Sequence, residues 1–312
     1  MAEIAILTAT YNGGKYIREL LDSIAAQTYS DYNIYIHDDG SDDGTPGIIR
    51  EYRHSHPDMK ITVLKYPPTG SACRNFMSML KYAKEPYIMF CDQDDIWKND
   101  KIETVYNEMR RIEGDKSEKP CLVFSDLYVV NSELEIISDS FMRYSGRNPH
   151  RTDYRSLLMK NSAPGCTMII NRSLAERMLL CRDFSKIGMH DIWAMTIASL
   201  TGEISYIDKP LIYYRQHTGN VVGAKKSSPA AKYINTLKLI LSGQQAGEKK
   251  IWLDNVSRLA GLLAATQRLS EKDRIFLKRL AAIRKKDKAV RIRFYYKNGL
   301  IDGKKWWLAL WV

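Results

Sequence analysis

The stretch IAILTATYNGG, residues 4–14, decides how the chain is read. An apolar run of strand length stops at a turn-forming YNGG, and apolar residues then recur at helical spacing through Ile17, Leu20, Leu21 and Ile24. The same order returns along the chain. YNIYIHD (32–38) ends in DGSDDGT and is followed by Ile48, Ile49 and Tyr52; ITVLKY (61–66) precedes a helical pattern over 72–84; YIMFCD (87–92) opens a fourth round. Strand, loop and helix in repetition predict βαβ units, and hence an α/β fold with a mostly parallel, doubly wound sheet whose ligands sit at the carboxyl ends of its strands.

Those strand ends hold the unusual residues. The first offers Thr8, Thr10, Tyr11 and Asn12, the second Asp38, Asp39 and Ser41, and the fourth Asp92, Asp94 and Asp95 within FCDQDDIW (90–97). Right-handed crossovers bring such ends to one rim, so three polar clusters are expected to face one cleft. Carboxylates this crowded repel and raise one another's pKa, and a chain gathers them either on a solvated turn or around a cation. The plainer readings are a turn for DDGSDDGT and a helix N-terminus for DQDD, with Asp95 as a cap. No GxxxxGK[ST] loop and no GxGxxG follows the first strand, so phosphate has to be held differently; Mg²⁺ or Mn²⁺ on Asp92 or Asp94 would do it.

With 45% hydrophobic and 27% charged residues in 312, the chain has the composition of a globular protein rather than a disordered one. Five cysteines without CxxC spacing argue against a paired disulfide framework and for a reducing compartment. The start MAEIAILTATYNGG has no signal-peptide features, and no apolar stretch approaches the roughly 20 residues that cross a bilayer. The expected location is cytoplasmic. Charge is unevenly spread: residues 225–312 carry 21 Lys and Arg against 6 Asp and Glu, a net +15, leaving residues 1–224 at −4 of the total +11.

TATYNGGKYIRELLDSIAAQTY, HDDGSDDGT, CRN and DQDDIW, in this order and spacing, resemble the family 2 glycosyltransferases of the GT-A fold, especially their bacterial rhamnosyltransferase-like branch. The resemblance runs over about residues 3–222 and implies a GT-A-type, Rossmann-like, mostly parallel sheet flanked by helices in a catalytic domain of residues 1–223. It implies that Thr8, Tyr11 and Asp39 hold the base and ribose of a nucleotide, that Arg74 of CRN lies beside that nucleotide, and that Asp92 approaches the ribose or metal. Asp94 would ligate a divalent metal, Mn or Mg, on the diphosphate of a nucleoside-diphosphate sugar. His37 departs from the aliphatic residue common before the Asp pair and reads as a satisfied interior or rim histidine.

Attack on a sugar carbon needs a base for the acceptor hydroxyl. MHDIWAM (189–195) resembles the family's acidic catalytic element with His190 in place of a Glu, which makes Asp191 the candidate base; its plainer role is an N-cap. In LIYYRQHTGNVVG (211–223), YRQH matches the same branch, with His217 as a metal ligand or loop contact and Arg215 placed to offset leaving-group charge. NSAPGCTMIINRSL (161–174) resembles the acceptor-side segment, with a turn at Pro164 and Gly165 and a buried strand in CTMII. The resulting expectation is an inverting, metal-dependent transfer from dTDP-rhamnose or a UDP-hexose to a glycan or lipid-linked glycan of the bacterial cell surface. A nucleotidyltransferase and a non-catalytic scaffold with a degenerate nucleotide site are the alternatives.

Residues 224–312 read as a basic C-terminal helical extension: AAKYINTLKLIL, IWLDNVSRLAGLLAATQRL and RIFLKRLAAIRKK space apolar residues three or four apart with cations between. The aromatic and basic end, RIRFYYKNGLIDGKKWWLALWV, suits an anionic membrane surface, placing the protein peripherally on the inner face of the plasma membrane. The other reading is a helical cap packed on the catalytic domain. No nucleic-acid-binding motif is present.

Overall fold

The computed structural model describes residues 2–115, 118–217, 224 and 244–300, the last including only the backbone of 244–250. Four strands open the chain, β1 (Ile4–Thr10), β2 (Tyr32–Asp38), β3 (Ile61–Val63) and β4 (Tyr87–Asp92), separated by helices α1 (Ile17–Ala25), α2 (Thr45–Ser55) and α3 (Ala72–Met79). The third helix ends well before residue 84, where the sequence pattern placed it, in a turn over residues 80–82. Then follow β5 (Ile96–Trp97), α4 (Lys101–Glu113), β6 (Cys121–Val130) and β7 (Ile136–Ser138). The second half adds α5 (Phe141–Ser145), α6 (Tyr154–Met159), β8 (Met168–Asn171), α7 (Arg172–Met178), α8 (His190–Thr201) and β9 (Glu203–Arg215).

These strands form one sheet in the order β3-β2-β1-β4-β8-β6-β9-β5, with β7 on β6. β1 pairs in parallel with β2 and β4, and β2 with β3, whereas β8 is antiparallel to both β4 and β6. β6 and β9 are parallel, while β5 is antiparallel to β9 and β7 to β6, so the sheet is mixed, with four parallel and four antiparallel pairings among the described residues; the parallel part the sequence predicts is the block β1 to β4. Burial explains the apolar runs: β1 and β4 lie inside the sheet, and Ile4, Ile6, Leu7, Ile88, Met89 and Phe90 are fully enclosed. After β1 the chain builds outward through β2 and β3 and then returns to the other side of β1 as β4. That reversal opens a crevice at the carboxyl ends of β1 and β4, beside Thr10 and Asp92.

Short β5 carries a long-range consequence. Ile96 and Trp97 pair with Tyr213 and Ile212, which fastens the acidic stretch to the end of β9, more than a hundred residues later. Where α8 turns into β9, Pro120 O accepts the Glu203 N–H at 2.9 Å, and a Cβ on Gly202 would lie 1.7 Å from that same oxygen. Backbone cannot yield as a side-chain tip can, so Gly202→Ala should destabilise the fold by about 1–3 kcal/mol, measured as a lower urea midpoint at unchanged slope.

Beyond β9, three helices are described: α9 (Gln244–Thr266), α10 (Glu271–Ala282) and α11 (Lys288–Lys297). Leu253, Val256, Ala260, Leu263, Leu277 and Leu280 are buried, so the apolar stripes read from the sequence turn toward the protein. Tyr154 Oη of α6 donates to Asp273 Oδ1 at 2.7 Å, and Gln267 Nε2 donates to Arg177 O at 3.1 Å, tying these helices to the sheet domain. Ser270 caps α10 by accepting the Asp273 N–H at 3.1 Å. Among the described residues no helix is long and apolar enough to cross a membrane. AAKYINTLKLIL, at 230–241, and the aromatic end from residue 301 lie outside the described residues.

Candidate active site

The crevice is built from the ends of β1, β2 and β4. Gln93 brackets the first of these: its Oε1 accepts the Tyr11 N–H and its Nε2 donates to Tyr11 O, both at 2.8 Å. Asp38 organises the second, accepting Thr10 Oγ1 at 3.0 Å, Ser41 N at 2.9 Å and Ser41 Oγ at 2.5 Å. Asp39 points to the other side, where it accepts the amide of Thr69, and that of Gly70 at 2.8 Å. Thr8 is wholly buried and in register with Cys91, while Tyr11 is 59% exposed. Arg74, half-buried on α3, has its guanidinium near Gly70 and makes no hydrogen bond or ion pair among the described residues. His37 is satisfied as the sequence suggested, with Nδ1 2.9 Å from Asn75 Oδ1, Nε2 2.9 Å from Tyr66 O, and its ring stacked on Tyr66.

The acidic stretch is split by depth. Asp95 is fully buried, with the Cys166 thiol near its carboxylate, and neither oxygen accepts a backbone N–H, so it does not cap a helix. The residue in the N-cap position of α4 is Asp100. Burial first, then the charges of Asp94 and Asp92, push the Asp95 carboxyl well above the ordinary range. Asp92 is half-buried and pushed up to about 7 by burial, then by the charges of Asp94 and Asp191. Oxygens of Asp92 and Asp95 and the Cys166 sulfur come within 4.8 Å of one another. Beneath them lies Lys101, completely enclosed, its Nζ donating to Cys166 O at 2.9 Å and sitting 3.0 Å from the centre of the Trp97 ring. Burial lowers this ammonium to about 7.

Asp94 turns toward the end of β9. Its Oδ2 is 2.8 Å from His217 Nε2, and its carbonyl accepts Arg215 Nε at 3.2 Å. The imidazole stacks on Tyr16 with ring centres 4.8 Å apart. Arg215 is itself turned inward: Nη1 donates to Ser132 O at 2.9 Å and Nη2 pairs with Glu19, so the guanidinium braces three segments under the acidic loop.

Asp191 closes the other side. It stands in the first turn of α8 and is not the cap; Met189 occupies the N-cap position, and Asp191 Oδ1 accepts the N–H of Ile192 at 2.6 Å. Burial pushes its carboxyl up to about 6, against the opposing pull of that amide and of the Arg147 charge. Arg147 reaches the site from after α5, with Nη1 on Asn161 O at 3.0 Å and its guanidinium over the Phe141 ring. His190 points into the core against Phe76 and Phe90, and burial holds it down at about 3, a neutral ring at physiological pH. Its Nε2 fills the space of a Cβ on Gly165, at 2.3 Å, so Gly165 is required there by close approach. The buried strand expected in CTMII is β8, entered through a 3₁₀ turn at Gly165–Thr167.

The structure therefore brings Asp94 against His217, sets Asp92 within reach of the Asp94 and Asp191 charges, and places Asp39 and Arg74 both beside Gly70, with Tyr11 exposed at the end of β1. Sequence reading did not single out Gln93, Lys101 or Arg147. Gln93 was visible inside the acidic stretch, whereas Lys101 and Arg147 acquire their surroundings only through the fold.

Residues 5–117 match the family model described as glycosyl transferase family 2. Over 234 residues the chain is 31% identical to the dTDP-rhamnosyl transferase RfbG of Shigella flexneri, a match covering 71% of this chain and 75% of that protein. It is 29% identical over 244 residues to the UDP-Glc:alpha-D-GlcNAc-diphosphoundecaprenol beta-1,3-glucosyltransferase WfaP of Escherichia coli, covering 77% and 87% of the two. The crystal structure of S. aureus TarS 1-349 in complex with UDP aligns with a TM-score of 0.54 over 95% of this chain and 92% of that one at 17% identity, which establishes the GT-A fold.

Proposed function

The chain belongs to glycosyl transferase family 2, and from that premise we propose that it moves a sugar, with inversion, from a nucleoside diphosphate to a hydroxyl of a growing cell-surface glycan. The donors favoured by the relatives are dTDP-rhamnose and a UDP-hexose. What supports the reading is the meeting of distant segments: Asp94, after β4, stands 2.8 Å from His217, after β9, and the charges of Asp94 and of Asp191 on α8 add to burial in raising the Asp92 carboxyl.

The residues fit a divalent cation. Asp94 and His217, 2.8 Å apart, offer oxygen and nitrogen donors of the kind Mn²⁺ or Mg²⁺ takes, and a cation beside Asp92, whose own close neighbours are Asp95 and Cys166, would offset the burial and the Asp94 and Asp191 charges that raise its carboxyl. Asp94 and His217 would hold it, with Asp92 between metal and ribose. When bound, the ion supplies positive charge to the diphosphate leaving group. Tyr11, Asp39 and Arg74 hold the nucleotide, with Thr8 forming the floor beneath it. Asp191 takes the proton from the acceptor hydroxyl as its oxygen attacks the anomeric carbon, and a single displacement inverts that centre. Arg215 sustains the geometry by fixing the Asp94 carbonyl.

Residues 1–223 form the catalytic domain in this proposal and residues 224–312 a basic appendage that holds the enzyme on the inner face of the plasma membrane, beside a lipid-linked acceptor. The net +15 of that region and the diphosphoundecaprenol acceptor named for WfaP support the attachment. A panel of nucleotide sugars with Mn²⁺ or Mg²⁺ tests the donor assignment. dTDP-rhamnose or a UDP-hexose should raise the melting temperature by mass action and release nucleoside diphosphate on adding acceptor. No thermal response and no transfer with any nucleotide sugar would sink it.

A further inference from the structure

Between α10, α11 and the start of α6 runs a groove of about 460 Å³ that the catalytic scheme does not use. Five cations line it, Arg155, Lys272, Arg279, Arg293 and Lys297, contributed by three elements that are far apart in sequence or on different helices. None of them is paired with a carboxylate among the described residues. Asp273, on which the charges of Arg155 and Lys272 act, is already engaged by Tyr154 and Ser270. A solvated charged face ordinarily mixes signs; here one sign converges on a concave surface. The floor is aliphatic and open, with Ile275 42% and Val290 49% exposed.

We propose that this groove receives the phosphate-bearing headgroups of an anionic phospholipid surface. Charge complementarity selects a polyanion, and the aliphatic floor selects one that brings apolar surface with it. Nucleic acid fits less well because the groove offers no free aromatic face: Phe276 stacks with Phe294 at 5.9 Å, and Arg155 covers Phe276 at 4.3 Å. The inference deepens the membrane attachment proposed above and rests on it, but assigns that attachment to one place.

The test uses the full chain and sedimentation with vesicles of phosphatidylglycerol and phosphatidylcholine, or of phosphatidylcholine alone. The groove variant Lys272→Glu/Arg293→Glu/Lys297→Glu is compared with Lys278→Glu/Lys285→Glu/Lys286→Glu, an equal charge change at exposed positions outside the groove. Wild type and the second variant should bind only the anionic vesicles, and the groove variant should bind them about a hundredfold more weakly. Its melting temperature and its transfer to a water-soluble acceptor should be unchanged. Equal loss in both variants would show diffuse attraction and overturn the groove. Undiminished binding by the groove variant would leave membrane attachment standing but place it elsewhere. Failure of wild type to bind any vesicle would overturn the attachment itself, and displacement from vesicles by single-stranded RNA at low micromolar concentration would assign the groove to nucleic acid instead.

Discussion

Asp191→Asn should lower transfer about a thousandfold and leave the folded protein at least as stable as wild type at pH 7. The first half follows from the proposed role: the amide keeps the size and the hydrogen-bond acceptor of the carboxylate but cannot take a proton, and general-base catalysis contributes about 10²–10⁴ in rate. The second half follows from linkage. Burial holds the folded carboxyl at about 6 against 3.8 for an unperturbed Asp, so the native state binds the proton more tightly than the unfolded chain. Stability contributed by this group is complete below about 3.8 and is lost as pH rises through about 6. At pH 7 the ionised side chain therefore costs the fold about 1–3 kcal/mol, and the neutral Asn removes that cost. For wild type, kcat/KM should fall about tenfold per pH unit below about 6, because only the ionised base works. Transfer rates, urea melts and a pH–rate profile check the three statements. Wild-type turnover in the variant would remove Asp191 from the mechanism, whereas loss of turnover with collapse of the melt would give it a structural role.

The rim of the candidate site was legible before any fold was known because parallel strands deliver their carboxyl ends to one edge. That Asp38 and Asp92 end the two strands flanking β1 could be read from the rhythm of β1 to β4 alone. His217 was harder: its proximity to Asp94 depends on the pairing of Ile96 and Trp97 with Tyr213 and Ile212, a two-residue strand too short to give a periodic signal. Asp95 read as a cap because the pattern of Asp before a helix is local, while its actual surroundings, Lys101, Cys166 and the floor of the cleft, are not. Lys101 opens α4 like any solvated helix residue, and only the packing of Trp97 and the Gly165–Thr167 turn over it encloses the charge. Arg147 lies in a connection with no regular pattern, so its electrostatic influence on Asp191 had no sequence signature. The C-terminal stripes were readable as helices, but spacing alone does not say which surface they face; the burial of Leu253, Leu263 and Leu277 settles that for the described part.

Asp94→Ala should cost transfer about as much as loss of the base, but through a different signature. A metal that stabilises several kcal/mol of developing charge supports about a thousandfold in rate at about 4 kcal/mol. Without the Asp94 carboxylate, the proposed donor set keeps His217 and Asp92 but loses the oxygen that stands 2.8 Å from the imidazole. The variant should fold normally, since the Asp94 charge is the second cause, after burial, of the elevated carboxyls at Asp92 and Asp95. Deleting that charge relieves repulsion, so the ligand-free melting temperature should hold or rise. The distinguishing readout is metal-linked. In wild type, Mn²⁺ together with nucleoside diphosphate should raise the melting temperature more than the sum of either alone; in Asp94→Ala the excess should disappear. Saturating Mn²⁺ should not restore turnover, because the lost group is a ligand and not merely a contributor to affinity. Preserved metal-linked stabilisation with wild-type transfer would place the diphosphate elsewhere in the crevice and leave the Asp94–His217 contact as an ion pair that braces the end of β9.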